Sequence, residues 1–195
     1  MEELGGRIAT MWSELRSQTR GFVERALQNN NALNVRNFQY DARADLELSR
    51  FLAALDDRAS EENNLDKDIA DKLKAVADAC TVILLDKTES AEVFAQLVKR
   101  AQARHDYKQI DRLGDALAAR FPASEICELA RSEDTVVREL ALEALSRSPV
   151  TVLASLLNDP VDSEIARVAL RLQVVEYGSE DARQIVSLLD QVEER

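Results

Sequence analysis

The chain has 195 residues, of which 46% are apolar and 31% are charged, and its formal net charge is −11. This composition excludes an intrinsically disordered protein, and the negative charge disfavours binding to the phosphate backbone of nucleic acids. Gly, Pro and aromatic residues are scarce, whereas Ala, Leu, Glu and Arg are abundant. Because the abundant side chains lose little freedom in a helix, the sequence predicts an all-α fold.

Three long helices are predicted in the first part of the chain, at residues 3–28, 40–58 and 65–86. The apolar residues of the first recur at helical steps: Leu4, Ile8, Met11, Leu15, Phe22 and Ala26. Residues 32–40 fit either a helix or an extended segment. The three helices predict an antiparallel bundle. Apolar residues of these helices that the bundle core does not cover would allow a homodimer through the helices. The alternative is an intramolecular core without a dimer.

Shorter helices with tighter connections are predicted in the rest of the chain. Pro122 and Pro149 mark helix starts, Ser148 and Ser179 are predicted N-caps, and Gly178 is a predicted C-cap. The expected helices cover residues 89–104, 106–120, 123–131, 134–147, 150–158, 162–176 and 179–192.

Two stretches of this second part resemble each other. Residues 126–145 (ICELARSEDTVVRELALEAL) align without a gap on residues 154–173 (ASLLNDPVDSEIARVALRLQ) at an offset of 28. The alignment places Asp134 on Asp162 and Ala141 on Ala169. Self-similarity near 30 residues, with two short helices in each unit, is typical of an α-solenoid.

The segment EDTVVRELALEAL (133–145) resembles the HEAT-repeat family. An acidic turn carries the resemblance, followed by Val137, Arg138, Ala141, Ala144 and Leu145. In NDPVDSEIARVALRL (158–172), Ala166 stands where the Arg would match, and Arg167 follows one place later. The resemblance covers residues 122–195 and is absent from 1–87, while a tetratricopeptide-like pairing is the alternative for 88–121.

The sequence therefore predicts two domains with different roles. Residues 1–87 would form a helical bundle or coiled-coil-like region, and residues 88–195 would form a short HEAT-like solenoid. The resemblance to HEAT repeats implies an interaction scaffold, because both that family and the tetratricopeptide family bind other proteins.

Catalytic chemistry is not indicated by the sequence. His105 is the only histidine, and Cys80 and Cys127 are the only cysteines; the cysteines occupy apolar helix positions and are predicted to be buried thiols. No nucleotide-binding, metal-binding or nucleophile motif occurs. We therefore expect no enzyme activity, no cofactor and no metal.

The cellular setting is also inferred from the sequence. No apolar run approaches the roughly 20 residues that span a bilayer, so no membrane insertion is expected. The N-terminal MEELGGRIATMW lacks the apolar core of a signal peptide, which favours the cytoplasm.

The most specific functional prediction is a non-enzymatic scaffold or adaptor that binds a protein through its helical repeats. Residues 122–195 carry 15 acidic and 7 basic side chains, which favours a partner with a basic surface. The exposed positions of the second helices supply the candidate contacts: Glu139, Glu143, Glu164 and Arg171.

The only positive cluster is formed by Arg100, Arg104, Lys108 and Arg112. It would suit a phosphate or an acidic peptide, and the alternative is a solvated face paired with nearby Asp residues.

Two other functions fit the same sequence. One is an acidic inhibitor or immunity-type protein that neutralises a basic toxin or nuclease. The other is an accessory subunit or lyase-like enzyme built on HEAT-like repeats, which would need a pocket with convergent polar groups.

Overall fold

A computed structural model describes residues 1–28, 40–61 and 66–193. No strand occurs in these ranges, so the all-α prediction is confirmed. After a 3-10 turn at Glu2–Leu4, the described ranges contain eleven helices: α1 (Gly6–Glu14), α2 (Ser17–Gln28), α3 (Ala42–Glu61), α4 (Lys67–Lys87), α5 (Ala91–Ala103), α6 (Tyr107–Arg120), α7 (Ala123–Ala130), α8 (Thr135–Ser146), α9 (Val150–Leu156), α10 (Ser163–Tyr177) and α11 (Glu180–Glu193). The ambiguous segment 32–40 lies, apart from Tyr40, outside the described residues.

The chain divides into two compact units, Met1–Val93 and Phe94–Arg195, and the division falls within α5. In the first unit, α3 and α4 pack against each other, and both contact α2. The unit is a helical bundle with large buried side chains on each helix, among them Ile8, Phe22, Phe51, Leu55, Leu73 and Ile83. The homodimer expected through these helices stays a prediction.

The prediction of one continuous helix over residues 3–28 is wrong. The helix ends at Glu14, and Leu15 is extended, with φ −58° and ψ 139°. The backbone N–H of Arg16 points to the Glu47 carboxylate of α3, at 3.4 Å. A carboxylate is favourable at the start of a helix, so this contact with α3 supports a new helix start at α2.

A network of charges holds this break in place. The Arg16 guanidinium donates to both carboxylate oxygens of Asp41, at 2.6 and 2.9 Å, and to Glu47 at 2.9 Å. The buried Thr19 hydroxyl also donates to Glu47. The network fixes the start of α2 against α3.

A second polar cluster links the start of α3 to the end of α4. Asp45 is only 7% exposed, and its carboxylate accepts from the Tyr40 hydroxyl at 2.5 Å and from the Thr88 hydroxyl at 2.9 Å. Burial and the hydrogen bond to Asp45 raise the pKa of Tyr40 above its ordinary value. The buried carboxylate therefore has the two donors that a buried acceptor requires.

In the second unit the helices pack as pairs. Helix α7 packs against α8, and α9 packs against α10, while α8 also contacts α6 and α10. Small side chains permit these close approaches, and Ala141, Ala166 and Ala169 are fully buried. The second helices α6, α8 and α10 are therefore neighbours in one layer.

The seven helices predicted after residue 87 are all present, with ends within two residues of those expected. Gly178 adopts the left-handed conformation at the end of α10, and the Ser179 hydroxyl accepts from Ala182 at the start of α11. The predicted N-cap at Ser148 is wrong. Pro149 occupies the cap position, and the Ser148 hydroxyl instead donates to the Ala144 carbonyl.

His105 ends α5 in the left-handed region, with φ 54°. The N–H of Asp106 bonds to the Ala101 carbonyl, and the N–H of His105 bonds to the Gln102 carbonyl. This is a Schellman ending, in which Gly is the preferred residue at the left-handed position. An exposed His there bears a conformational cost.

We predict that His105→Gly raises the free energy of unfolding by about 0.5–1 kcal/mol, because Gly removes the left-handed strain. The matched control is Ala103→Gly, an exposed position within α5, which should lower it by up to about 1 kcal/mol. Urea unfolding of the full chain measures both. Equal destabilisation by the two variants would contradict the assignment of strain to His105.

The Arg16 network predicts a dependence of stability on pH. Arg16 and the N–H of Ala44 hold the pKa of Asp41 well below its ordinary value. The lowered pKa adds stability above the unfolded pKa of about 4, and that contribution is lost as the pH falls through the folded value. Asp41→Asn should therefore reduce the acid sensitivity of the urea midpoint.

Arg16→Gln should have the same effect, because it removes the cause of the lowered pKa. A midpoint that falls with acid as steeply in both variants as in the parent chain would rule out this origin.

Candidate protein-binding surface

The four predicted contact residues all lie on α8 and α10. Glu139 and Glu143 are exposed one turn apart on α8, and Glu164 and Arg171 are exposed on α10. Three of them have ion-pair partners beside the surface, and Glu143 pairs with Arg147 one turn later on α8. Glu164 lies 3.6 Å from Arg167, and Arg171 lies 3.0 Å from Asp190 of α11.

A cavity of about 190 Å³ lies between α6 and α8. The two helices approach closely beside the cavity. A Cβ on Gly114 would lie only 3.2 Å from a methyl group of Leu140. Its lining has three carboxylates and one guanidinium, for a formal charge of −2, and consists of Asp111, Gly114, Asp115, Leu140, Glu143, Ala144 and Arg147.

A second cavity, of about 430 Å³, lies between the end of α8, the start of α9 and the end of α10. Gln173 in its wall is only 5% exposed. The Gln173 Nε2 donates to the Ser148 carbonyl at 2.6 Å, whereas its Oε1 accepts no hydrogen bond from any described residue. The other lining residues are Ser146, Arg147, Ser148, Pro149, Val150, Tyr177 and Ser179.

Arg147 lines both cavities. Its guanidinium donates to the Glu143 carboxylate one turn earlier, and the Tyr177 hydroxyl of α10 lies close to it. These two contacts raise the pKa of Arg147 above its ordinary value, so it is charged throughout the physiological range. Arg147 therefore places a positive charge between the two cavities.

The lining residues of the cavities were only partly predicted from the sequence. Glu143 was among the predicted contacts, whereas Asp111, Asp115, Arg147 and Tyr177 were not. The i, i+4 spacing of the two Asp residues was a local signal of a shared acidic face. The contact between Arg147 and Tyr177 had no local signal, because it joins different helices.

The predicted basic patch requires a correction. Arg100 is only 8% exposed, because it follows the buried Leu97 by three residues and shares its face of α5. Arg104, Lys108 and Arg112 are exposed. At most these three contribute to a positive surface.

His105, Cys80 and Cys127 are not among the residues that line the two cavities. His105 is exposed in the turn after α5, while Cys80 and Cys127 are fully buried, as predicted. Burial, with a smaller effect from the Asp162 charge, raises the pKa of the Cys127 thiol to about 11. A thiol in this state is a poor nucleophile.

Within residues 1–28, 40–61 and 66–193, no helix is long and apolar enough to cross a bilayer. The same residues contain no group of His, Cys, Asp and Glu that could hold a metal ion. Comparisons with protein-family models, curated proteins and solved structures find no match to this chain. The geometry of α6, α8 and α10 is therefore the basis for proposing a function.

One ion pair with a buried carboxylate joins the two helix pairs that form the surface. Arg131, in the turn after α7, lies 2.6 Å from Asp162, which precedes α10. The Asp162 side chain is 8% exposed, whereas that of Arg131 is 40% exposed. The Asp162 carboxylate is therefore less solvated than the Arg131 guanidinium, and its charge needs the ion pair more.

We predict that Arg131→Met lowers the free energy of unfolding by about 1–3 kcal/mol, because it leaves a buried carboxylate without its cation. Asp162→Asn should lower the free energy of unfolding by a smaller amount, since water can solvate the exposed part of Arg131. Chemical denaturation measures the difference. Arg183→Met, which breaks the exposed pair with Glu180, is the control and should change stability by less than about 0.5 kcal/mol. The reverse order of the two main variants would contradict this account.

Proposed function

We propose that the second unit is a HEAT-like helical repeat that acts as a non-enzymatic protein–protein interaction scaffold. The acidic cavity between α6 and α8 is the observation that carries this proposal. It lies in the layer of second helices, where helical-repeat proteins commonly present a binding surface. The proposed partner has a basic surface at the point of contact.

The repeat assignment is supported by agreement between sequence and packing. The two stretches related by an offset of 28 each run from the first into the second helix of a pair, α7 into α8 and α9 into α10. Ala141 and Ala169 are both fully buried. Asp134 and Asp162 both precede a second helix, although only the Asp134 side chain accepts from the first N–H groups of its helix. A fold alone does not define a function, so the argument for binding depends on the surface.

The charge of the surface supports a basic partner. The α6–α8 cavity has a formal charge of −2, and residues 122–195 carry an excess of eight acidic side chains. Complementary charge increases the rate of association and suppresses wrong partners.

An acidic inhibitor of a basic toxin or nuclease is a second candidate, and the same negative surface favours it. The identity of the captured partner separates the two candidates. A secreted or toxic basic enzyme would indicate an inhibitor, whereas a component of an intracellular assembly would indicate a scaffold.

We predict that Glu139→Lys with Glu143→Lys weakens binding of the partner by about tenfold or more at low salt, because two attractive charges become repulsive. The partner is first captured with the parent chain from its source cells and identified by mass spectrometry. Binding of the purified partner is then titrated at low and at high ionic strength. The loss should shrink at high salt, where charges are screened.

The control reverses the charge of two exposed acidic residues outside the layer of α6, α8 and α10. They are Glu128 of α7 and Asp181 of α11. This control has the same net charge as the test variant and should bind nearly as the parent does. If both double variants bind equally, the partner responds to total charge, and the proposed surface is wrong.

A further inference from the structure

An apolar stripe is exposed along α10 and the turn that precedes it. Val161, Val168 and Val175 form this valine stripe, and their exposed fractions are 64%, 42% and 81%. They recur at steps of seven residues, and such steps return to nearly the same side of a helix. Ile165 and Leu172 lie between them at the intervening helical steps and are half-buried. The exposed valines therefore form one continuous line rather than scattered single residues.

Neither packing within the chain nor helix propensity accounts for the valine stripe. Helix α10 contacts α7, α8, α9 and α11, and it buries a different set of positions, among them Ala166, Ala169 and Leu170. These contacts leave Val175 largely in water. Valine is also a weaker helix former than the charged residues that suit exposed helix positions. An exposed line of valines on a helix that already has a buried face indicates a contact surface.

Two opposite charges flank the centre of the valine stripe. Glu164 lies four residues before Val168 and Arg171 lies three residues after it, and both side chains are exposed. Because Glu164 and Arg171 are themselves seven residues apart, they lie on the same side of the stripe. The surface therefore carries an acid towards the start of α10 and a base towards its end.

This order of charges makes the surface complementary to itself. In an antiparallel pair of helices with a two-fold axis at Val168, residues before the axis meet residues about as far after it. Val161 then meets Val175 of the second copy, and Glu164 meets Arg171 of the second copy. A parallel pair would instead place like charges against each other, which is unfavourable.

We propose that the valine stripe binds the same stripe of a second copy of this chain, with the two α10 helices antiparallel around a two-fold axis at Val168. Such an interface uses one surface twice, so that each contact occurs in two symmetry-related places. The inference does not depend on the proposed scaffold function. It assigns Glu164 and Arg171, both predicted as contacts with a partner protein, to contacts between copies.

The interface is small, which sets the strength of the association. Helix α10 has 15 residues, and one pair of such helices buries less area than a stable dimer needs. Each copy also has a net charge of −11, and salt screens this long-range repulsion more than it screens direct contacts. Sedimentation equilibrium of the full chain at physiological ionic strength should show a monomer–dimer equilibrium, with a dissociation constant in the micromolar range or weaker.

Charge reversal tests the pairing of Glu164 with Arg171. Glu164→Arg makes both positions positive and Arg171→Glu makes both negative, so each variant alone should associate about tenfold more weakly than the parent chain or worse. An equimolar mixture of the two variants should restore association, because every contact between unlike copies then joins opposite charges. The matched controls are Glu180→Arg and Arg183→Glu, which reverse the same charges in an exposed pair of α11 and should associate nearly as the parent does.

Loss of one valine tests the apolar part of the interface. Val175→Gln should weaken association about tenfold or more, because it removes an apolar contact in two symmetry-related places. Val82→Gln is the matched control, since Val82 is 49% exposed on α4 of the first unit. It should leave association unchanged.

Cross-linking tests the position of the axis. A short bis-maleimide should link Val168→Cys to its own equivalent, because the two-fold axis passes beside this residue. Leu188→Cys, at an exposed position of α11, is the control and should not be linked. The natural cysteines Cys80 and Cys127 are fully buried and should not compete for the reagent.

Three results would overturn the inference. They are a chain that stays monomeric up to millimolar concentration, complementary charge variants that do not associate when mixed, and a dimer that Val82→Gln weakens but Val175→Gln does not. The last result would assign the dimer to the first unit. A monomeric chain whose Val175→Gln variant loses the natural partner would assign the valine stripe to that partner. The scaffold proposal is tested separately, through Glu139 and Glu143.

Discussion

Packing between neighbouring helices is the constraint on which the second unit depends. Helices α7 and α9 have only eight and seven residues, and isolated helices of fewer than about 12 residues are marginal in water. They persist because each buries its apolar side against a longer second helix. The fully buried Ala141 and Ala169 allow this approach, so the positions of α6, α8 and α10, and of the cavities between them, follow from packing.

Most helix ends in this unit could be predicted because their causes are local. Pro122 removes a backbone donor and Gly178 adopts a left-handed conformation, and both effects act within one or two residues of the chain. The break after Glu14 has a different cause. Its support comes from Glu47 of α3, while Leu15 continues the apolar spacing as a buried residue. The sequence pattern therefore runs through the break, and only the tertiary contact reveals it.

In the candidate surface, too, some features follow from the local sequence and others need contacts between helices. The exposure of Glu139 and Glu143 follows from the helical period of α8, so the sequence was enough to find them. The acidic cavity needs the neighbouring helix, because Asp111 lies on α6. The contact between Arg147 and Tyr177 joins residues 30 positions apart. No spacing within a helix predicts such a contact, and it brings Tyr177 beside the cation that lies between the two cavities.

The charge of Arg147 has a consequence for the proposed basic partner. A segment with many basic residues would gain beside Asp111 and Asp115 but would also bring a positive charge close to Arg147. Specific interfaces use such unfavourable contacts against the wrong partner. The proposed attraction for a basic protein is therefore strongest beside the two aspartates and weakest beside Arg147.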